Sequence, residues 1–287
     1  MSTLKQINRK KRPDPLIHTR NLTKIYGSGE TMVRALDDVS FDVFPGEFLA
    51  IMGPSGCGKS TLLNMLGALD QPTEGEVWIA GENLSALKSV DKFRAQTVGF
   101  VFQLHNLLPT LTAVENVEVP MVGQSLSSKQ QRERASHLLS LVGLGDRLTH
   151  LPNQLSGGQR QRIAIARALA NEPALVLADE PTGALDSQSS EDVLTLMADL
   201  NRTQGTTFAV VTHDQRVAQT TQRILHMNDG RVVDDHRVLA PLEEDLRSLA
   251  NSRLGQAILS GDTTVASMMS DEERESLRGL LGGLMDQ

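Results

Sequence analysis

One stretch limits what this chain can fold into more than any other: Gly53–Pro54–Ser55–Gly56–Cys57–Gly58–Lys59–Ser60–Thr61. Before it, Glu47–Phe48–Leu49–Ala50–Ile51–Met52 reads as a short buried strand. After it, Thr61–Leu62–Leu63–Asn64–Met65–Leu66 reads as the start of a helix. Strand, glycine loop, Lys-Ser and helix in this order form a phosphate-binding P-loop. Glycines let the backbone wrap so that its N–H groups point inward at phosphate oxygens. The helix places its positive end under the same phosphates. Lys59 is expected to reach the β- and γ-phosphates, and the Ser60 hydroxyl to complete a Mg²⁺ shell. A chance glycine-rich turn lacks the flanking strand and helix, so the chain is expected to bind a nucleotide. Cys57 lies inside the loop. It fits there as a small side chain, and beside Lys59 and a helix N-terminus it is also expected to react readily with alkylating reagents.

Composition removes several alternatives. A chain of 287 residues can form one large domain with an appendage. The formal net charge of -7 gives no bulk attraction to nucleic acid. Lys5, Arg9, Lys10, Lys11 and Arg12 form the only basic cluster, in a Pro-containing leader. Such a run is either solvated or a weak contact to a membrane surface. No apolar run approaches the ~18 residues that span a bilayer, and the leader has no apolar centre of the kind a signal peptide needs. Cys57 is the single cysteine, which excludes an intrachain disulfide and suits a reducing compartment. Trp78 and Tyr26 are the only residues of their kinds, too few for a base-stacking platform on single-stranded nucleic acid.

Along the chain, residues 1–15 read as a flexible N-terminal arm. Ile17–Leu22, Val39–Phe44 and Gly75–Gly81 read as antiparallel pieces beside the P-loop strand, and Thr97–Phe102 as a buried strand ending at Gln103. From about 104 to 170 the pattern is helical, with helices expected over Ser128–Val142 and Gly158–Ala170. Ala174–Asp179 and Thr206–Thr212 are continuous apolar runs, the mark of parallel strands buried on both faces. Ser187–Leu200 is the expected crossover helix between them. Asn228–Asp229–Gly230 reads as a hairpin turn. The core is expected to end near 240. Residues 241–287 read as a helical C-terminal extension, with stripes at Leu246, Leu249, Ala250, Leu254 and Ile258 and at Leu277, Leu280, Leu281, Leu284 and Met285. A capping box is expected at Ser270–Glu273, and Gly279, Gly282 and Gly283 weaken the second stripe by about 1 kcal/mol each.

Asp179 and Glu180 follow an apolar strand. A carboxylate at that strand's C-terminal end can hold Mg²⁺, and Glu180, one residue on, is placed to accept a proton from an attacking water. In Leu155–Ser156–Gly157–Gly158–Gln159, Ser156 precedes two glycines and a strong helical run, which makes an N-cap and an anion site.

That last string is the signature of the ABC ATPases, and the chain resembles this family over roughly Leu16 to Val233. The resemblance implies an α/β fold of the P-loop NTPase class, an ABC-type nucleotide-binding domain with a RecA-like core, an antiparallel β subdomain and a helical subdomain at about 104–170. On this reading the ATPase domain spans 16–240. The likeness also implies a head-to-tail homodimer around two ATP, with Ser156, Gly157, Gly158 and Gln159 of one chain facing the P-loop of the other. Tyr26 occupies the place where an aromatic ring stacks on adenine; otherwise it is a packed strand residue. Gln103 occupies the place of a glutamine that contacts Mg²⁺ or the attacking water and links to the membrane partner. Asp186, in Gly183–Ala184–Leu185–Asp186, stands at the dimer interface, with Gly183 where many relatives have Ser. His213 stands at the γ-phosphate sensor position; outside this series it reads as structural.

Only one motif set is present, which again implies a dimer. Gly27–Ser28–Gly29–Glu30, Val33–Arg34–Ala35–Leu36, Asn106–Val117 and Ala178–Asp186 resemble the macrolide-export and lipoprotein-release branch. The function so implied is the ATP-hydrolysing, energy-coupling subunit of a transporter, peripheral on the cytoplasmic face of the inner membrane through a separate integral permease, with ATP and Mg²⁺ as cofactors and no nucleic acid partner. The alternative is a soluble ABC ATPase acting on a macromolecule in DNA repair or cell division. The extension at 241–287 is absent from short members of the branch. It reads as a helical hairpin on the core, or as a partner-binding or dimer-stabilising segment.

Overall fold

The structure, a computed structural model, describes residues 14–238, 249, 252–260 and 275–279. The basic arm, the capping box at 270–273 and most of the second leucine stripe lie outside the described residues.

The alternation of buried side chains sets the architecture. Strand β3 (Phe48–Met52) is buried along its whole length, as expected of a strand covered on both faces. It pairs in parallel with β8 (Thr207–Val211) on one side and β9 (Arg223–Asn228) on the other. Beyond β8 come β7 (Leu175–Asp179) and β6 (Val98–Phe102), both parallel. The six-stranded order is β10-β9-β3-β8-β7-β6, with β10 at Arg231–Arg237. A second sheet has the order β2-β1-β4-β5, built from β1 (Ile17–Tyr26), β2 (Val33–Val43), β4 (Glu74–Ile79) and β5 (Glu82–Asn83), all antiparallel.

Successive strand residues point to opposite faces, and the two cores divide accordingly. Leu49, Ile51, Leu175, Leu177, Ala209 and Val211 face the small sheet and the apolar side of α1 (Lys59–Leu66). Phe48, Val176, Ala178, Phe208 and Val210 face the opposite way. That side is covered by α3 (Ala113–Glu118), α4 (Ser128–Leu141), α5 (Gly157–Ala168) and α6 (Ser187–Gln204). The Phe48 and Phe208 rings meet at 5.4 Å. Short helices α2 (Val90–Thr97) and α7 (Gln215–Gln219) lead into β6 and towards β9. Asp229 (φ 45°) and Gly230 (φ 77°) both take left-handed conformations, the requirement of a type I′ turn joining β9 to β10.

Both core clusters draw on residues before 233. The chain divides into compact units at 1–236 and 237–287. In the second, α8 (Arg253–Ser260) buries Ile258 among Leu249, Leu259 and Leu277. A chain ending at Ala240 is therefore expected to stay soluble, melt cooperatively and bind ATP with unchanged affinity. Aggregation of that chain would mean that the later leucines complete the main core.

Candidate active site

The P-loop wraps because two positions exclude a side chain. A Cβ at Gly58 (φ 105°) would collide with the Ala35 carbonyl oxygen, and one at Gly53 with the Met227 carbonyl oxygen. The Gly230 N–H donates to the Cys57 carbonyl at 3.0 Å. The loop is thus held between β2 and the β9–β10 turn. Lys59 is 8% exposed, and its ammonium donates to the carbonyls of Gly53 and Pro54, both at 2.8 Å.

Gly53, Pro54, Ser55, Gly56, Gly58, Lys59, Ser60 and Thr61 line a cleft of about 800 Å³, and Glu180 and His213 line it with them. Of the two readings of Cys57, the small side chain that fits describes its placement. Its side chain points into the core beneath the loop and is 4% exposed. Reaction with an alkylating reagent therefore requires the loop to open, because the strand-facing side of the loop is where a small apolar side chain packs.

Asp179 ends β7, level with Phe102 on one neighbour and Val211 on the other. Burial pushes its carboxyl above the usual carboxylate range. The adjacent Glu180 raises it further, and the Lys59 ammonium works the other way. The ionised form therefore costs the fold stability above the raised value. Below the ordinary carboxylate range the native and unfolded chains are both protonated, and no difference remains. Asp179→Asn is expected to raise the melting temperature of the nucleotide-free chain at neutral pH. The gain should vanish as the pH falls through the ordinary Asp range, which a series of melts at stepped pH will show.

Glu180 has φ 44°, a sparsely populated conformation that persists only where its surroundings hold it. Its N–H donates to the Val211 carbonyl at 2.9 Å. Its Oε1 lies 3.0 Å from His213 Nδ1. The two side chains meet across the ends of β7 and β8.

Gln103 follows β6 and does not line this cleft. It packs against the loop after Glu180, where a Cβ on Gly183 would meet its Nε2 at 2.8 Å. The glycine at 183 thus makes room for the glutamine. Tyr26 stands in register with Val33, a residue of the cleft wall. Its hydroxyl donates to Asp70 Oδ2 at 2.8 Å, and the Lys24 ammonium sits 4.9 Å from the ring centre. Lys24 is itself tied to Asp70 Oδ1 and the Gln71 carbonyl, both at 2.7 Å. The ring is clamped at its edge and on one face, while 40% of the residue is exposed.

Ser156 caps α5. Its Oγ accepts from the Gln159 N–H at 3.2 Å, and Gln159 Oε1 accepts from the Ser156 N–H at 2.9 Å. Gly158 packs on Ser189, whose N–H and hydroxyl are both held by Asp186, the cap of α6. Ser156, Gly157, Gly158, Gln159 and Asp186 therefore form one unit, and none of them lines the P-loop cleft.

Sequence reasoning missed Arg34, Ala35, Asp229 and Gly230 as cleft-lining residues. The Asp-Gly turn signals only a hairpin. It reaches the loop because β9 runs beside β3, a placement that no local pattern carries.

Ser60 offers a hydroxyl and Asp179 a carboxylate beside the cleft. This is a hard oxygen donor set, which fits Mg²⁺.

The model of the ABC transporter family matches residues 36–183. An uncharacterized ABC transporter ATP-binding protein of Thermotoga maritima is 54% identical over 211 residues, covering 73% of this chain and 90% of that protein. The macrolide export ATP-binding/permease protein MacB of Marinobacter nauticus is 46% identical over 276 residues. That match covers 94% of this chain, so it reaches into residues beyond 241, and the chain spans 42% of the MacB length. Among solved structures, the dimeric post-hydrolysis ATP-binding cassette MJ0796, bound to ADP and Pi, superposes with a TM-score of 0.71 at 46% identity, covering 78% of this chain and 99% of that one. MJ0796 is a protein of Methanocaldococcus jannaschii.

Proposed function

The chain belongs to the ABC transporter family and is an ATPase cassette of it, and from this premise we propose that two copies pair head to tail around two ATP and drive a separate membrane permease. The observation that carries the reading is the division of the site. The P-loop, Glu180 and His213 share one cleft, while Ser156–Gln159 cap a helix that does not line it. A second chain supplies the missing half, and MJ0796 is described as a dimer with ADP and Pi.

On this reading each residue has a defined task. The loop N–H groups and the N-terminus of α1 hold the phosphates. Lys59 exchanges two neutral carbonyls for the β- and γ-phosphate oxygens. Tyr26 stacks its free face on adenine. Ser60 and Asp179 would hold Mg²⁺, which when bound neutralises phosphate charge. Glu180 takes the proton of a water that attacks the γ-phosphorus as the bond to the bridging oxygen breaks, giving ADP and phosphate. His213 orients that carboxylate and touches the γ-phosphate. Gln103 reports the state of the loop after Glu180. Ser156 and Gly158 of the partner chain close over the γ-phosphate, with Asp186 at the interface.

The permease reading rests on a second cavity, of about 560 Å³, lined by Leu69, Phe100, Phe102, Val119, Pro120 and Arg167 among others. Leu104 (74% exposed) and Val122 (72%) belong to the same stretch of chain. Asp91, Arg94, Asn106 and Asn171 rim the same cavity, and exposed apolar side chains beside polar ones suit an interaction site. It fits a cytoplasmic segment of a membrane protein, and among the described residues no helix is long and apolar enough to cross a membrane. The likeness to MacB favours the export and lipoprotein-release branch, acting from the cytoplasmic face of the inner membrane.

Affinity-tagged chain extracted from its own host in detergent is expected to bring down an integral membrane protein. Leu104→Asp is expected to lose that protein and keep ATP hydrolysis. Parent chain recovered without any membrane protein, yet active, would favour the soluble ATPase that acts on a macromolecule.

A further inference from the structure

The β9–β10 hairpin touches the P-loop at its turn. Elsewhere along its strands it gathers three side chains that the ATP chemistry does not use. His226 comes from β9, and Asp234 and His236 come from β10. One ring nitrogen of each histidine and one carboxylate oxygen of Asp234 all lie within 4.8 Å of one another. The imidazole rings stack at 5.6 Å with 19° between their planes. His236 Nδ1 is 2.7 Å from Asp234 Oδ2. Asp234 and His236 are two residues apart on one strand, so their side chains leave it on the same side. The nearby Arg223 does not compete for Asp234, because Asp235 and Glu47 hold it.

We propose that His226, Asp234 and His236 form a binding site for a divalent transition-metal ion of the Zn²⁺ type, with water as the fourth ligand. Two imidazoles and a carboxylate suit Zn²⁺, and three protein ligands with one open position are a usual set for it. Bond lengths of about 2.0–2.2 Å on a tetrahedron place the donors roughly 3.3–3.6 Å apart. The exposed Asp234 and His236 can reach that spacing by rotamer adjustment, giving up their 2.7 Å contact for the ion. The site lies outside the ATP cleft, so metal uptake does not require nucleotide. A bound ion would clip β9 to β10 and steady the turn whose Gly230 N–H holds the Cys57 carbonyl at 3.0 Å. It would also stabilise the native state, by an amount that grows with metal concentration.

The test uses the full chain without a polyhistidine tag, stripped with a chelator and titrated with ZnCl₂ by calorimetry and with CoCl₂ by visible absorption. One Zn²⁺ per chain is expected. The Co²⁺ form should show the intense d–d bands of a four-coordinate ion, without a thiolate charge-transfer band. Losing even an outer-shell partner costs about 10–100-fold in metal affinity. His226→Asn and His236→Asn are therefore expected to weaken binding at least ~100-fold, and Asp234→Asn at least ~10-fold. ATP affinity equal to the parent's shows that each variant is folded. Zn²⁺ should raise the melting temperature of the parent and leave that of the histidine variants unchanged. No saturable uptake by the parent, or equal affinity in parent and histidine variants, overturns the proposal and leaves the Asp234–His236 contact as a surface hydrogen bond.

Discussion

Lys59→Ala is expected to lower ATP turnover by at least about a hundredfold, the scale seen when one preorganised donor to a developing charge is removed, and to weaken ATP binding with it. The lysine is buried at 8% exposure, and its direct acceptors are two neutral carbonyls. Among the described residues no carboxylate accepts a hydrogen bond from it, and the residue lines the cleft. Lys59→Met separates charge from packing, since it keeps the apolar stem. It should match Lys59→Ala in activity and exceed it in melting temperature. Lys59→Arg is not expected to rescue, because a wide guanidinium does not replace a point charge seated between the Gly53 and Pro54 carbonyls. Phosphate release and calorimetric ATP titration read both effects. Near-parental turnover in Lys59→Ala would remove the P-loop assignment.

Glu180→Gln is expected to bind ATP about as well as the parent and to hydrolyse it ~10²–10⁴-fold more slowly, the range of a lost general base. The amide keeps size and hydrogen bonding but not basicity, and ATP is held by other groups. Unhydrolysed ATP would then bridge Lys59 of one chain and Ser156 of the other. Mass action favours the dimer under those conditions. Light scattering on a sizing column, with and without Mg²⁺ and ATP, should show dimer in the variant and monomer in the parent after turnover. A variant that stays monomeric with ATP bound would sink the head-to-tail pairing for the isolated chain. Parental turnover would pass the base to His213, 3.0 Å away.

Much of this site is legible in the sequence because its parts are local. A run such as Leu175–Asp179 needs only its own apolar residues to be read as a buried strand, and the carboxylates at its end follow. Ser156 and Gln159 write their capping box three residues apart. What was not legible depends on distant partners. Cys57 faces the core because β3, α1 and the small sheet close over that side of the loop. The clamp on Tyr26 comes from Asp70, 44 residues away. The left-handed backbone of Glu180 reflects its hydrogen bond to Val211 on the next strand. β1 continues to Tyr26, past the expected end at Leu22, because β2 and β4 pair along it despite register shifts. The His226, Asp234 and His236 group appears only once the hairpin is built.

The P-loop is held by segments far apart in the chain: Ala35 blocks a side chain at Gly58, and Gly230 bonds to Cys57. Contacts of such high sequence separation form only after the intervening chain has closed its loops. A chain still emerging from the ribosome, with β9 and β10 unmade, has every residue of the glycine loop but lacks the Met227 and Gly230 half of the frame that shapes it. Full nucleotide affinity is thus expected only once β9 and β10 are in place. Capture on an immobilised nucleotide is then expected to favour chains whose β9–β10 hairpin is finished.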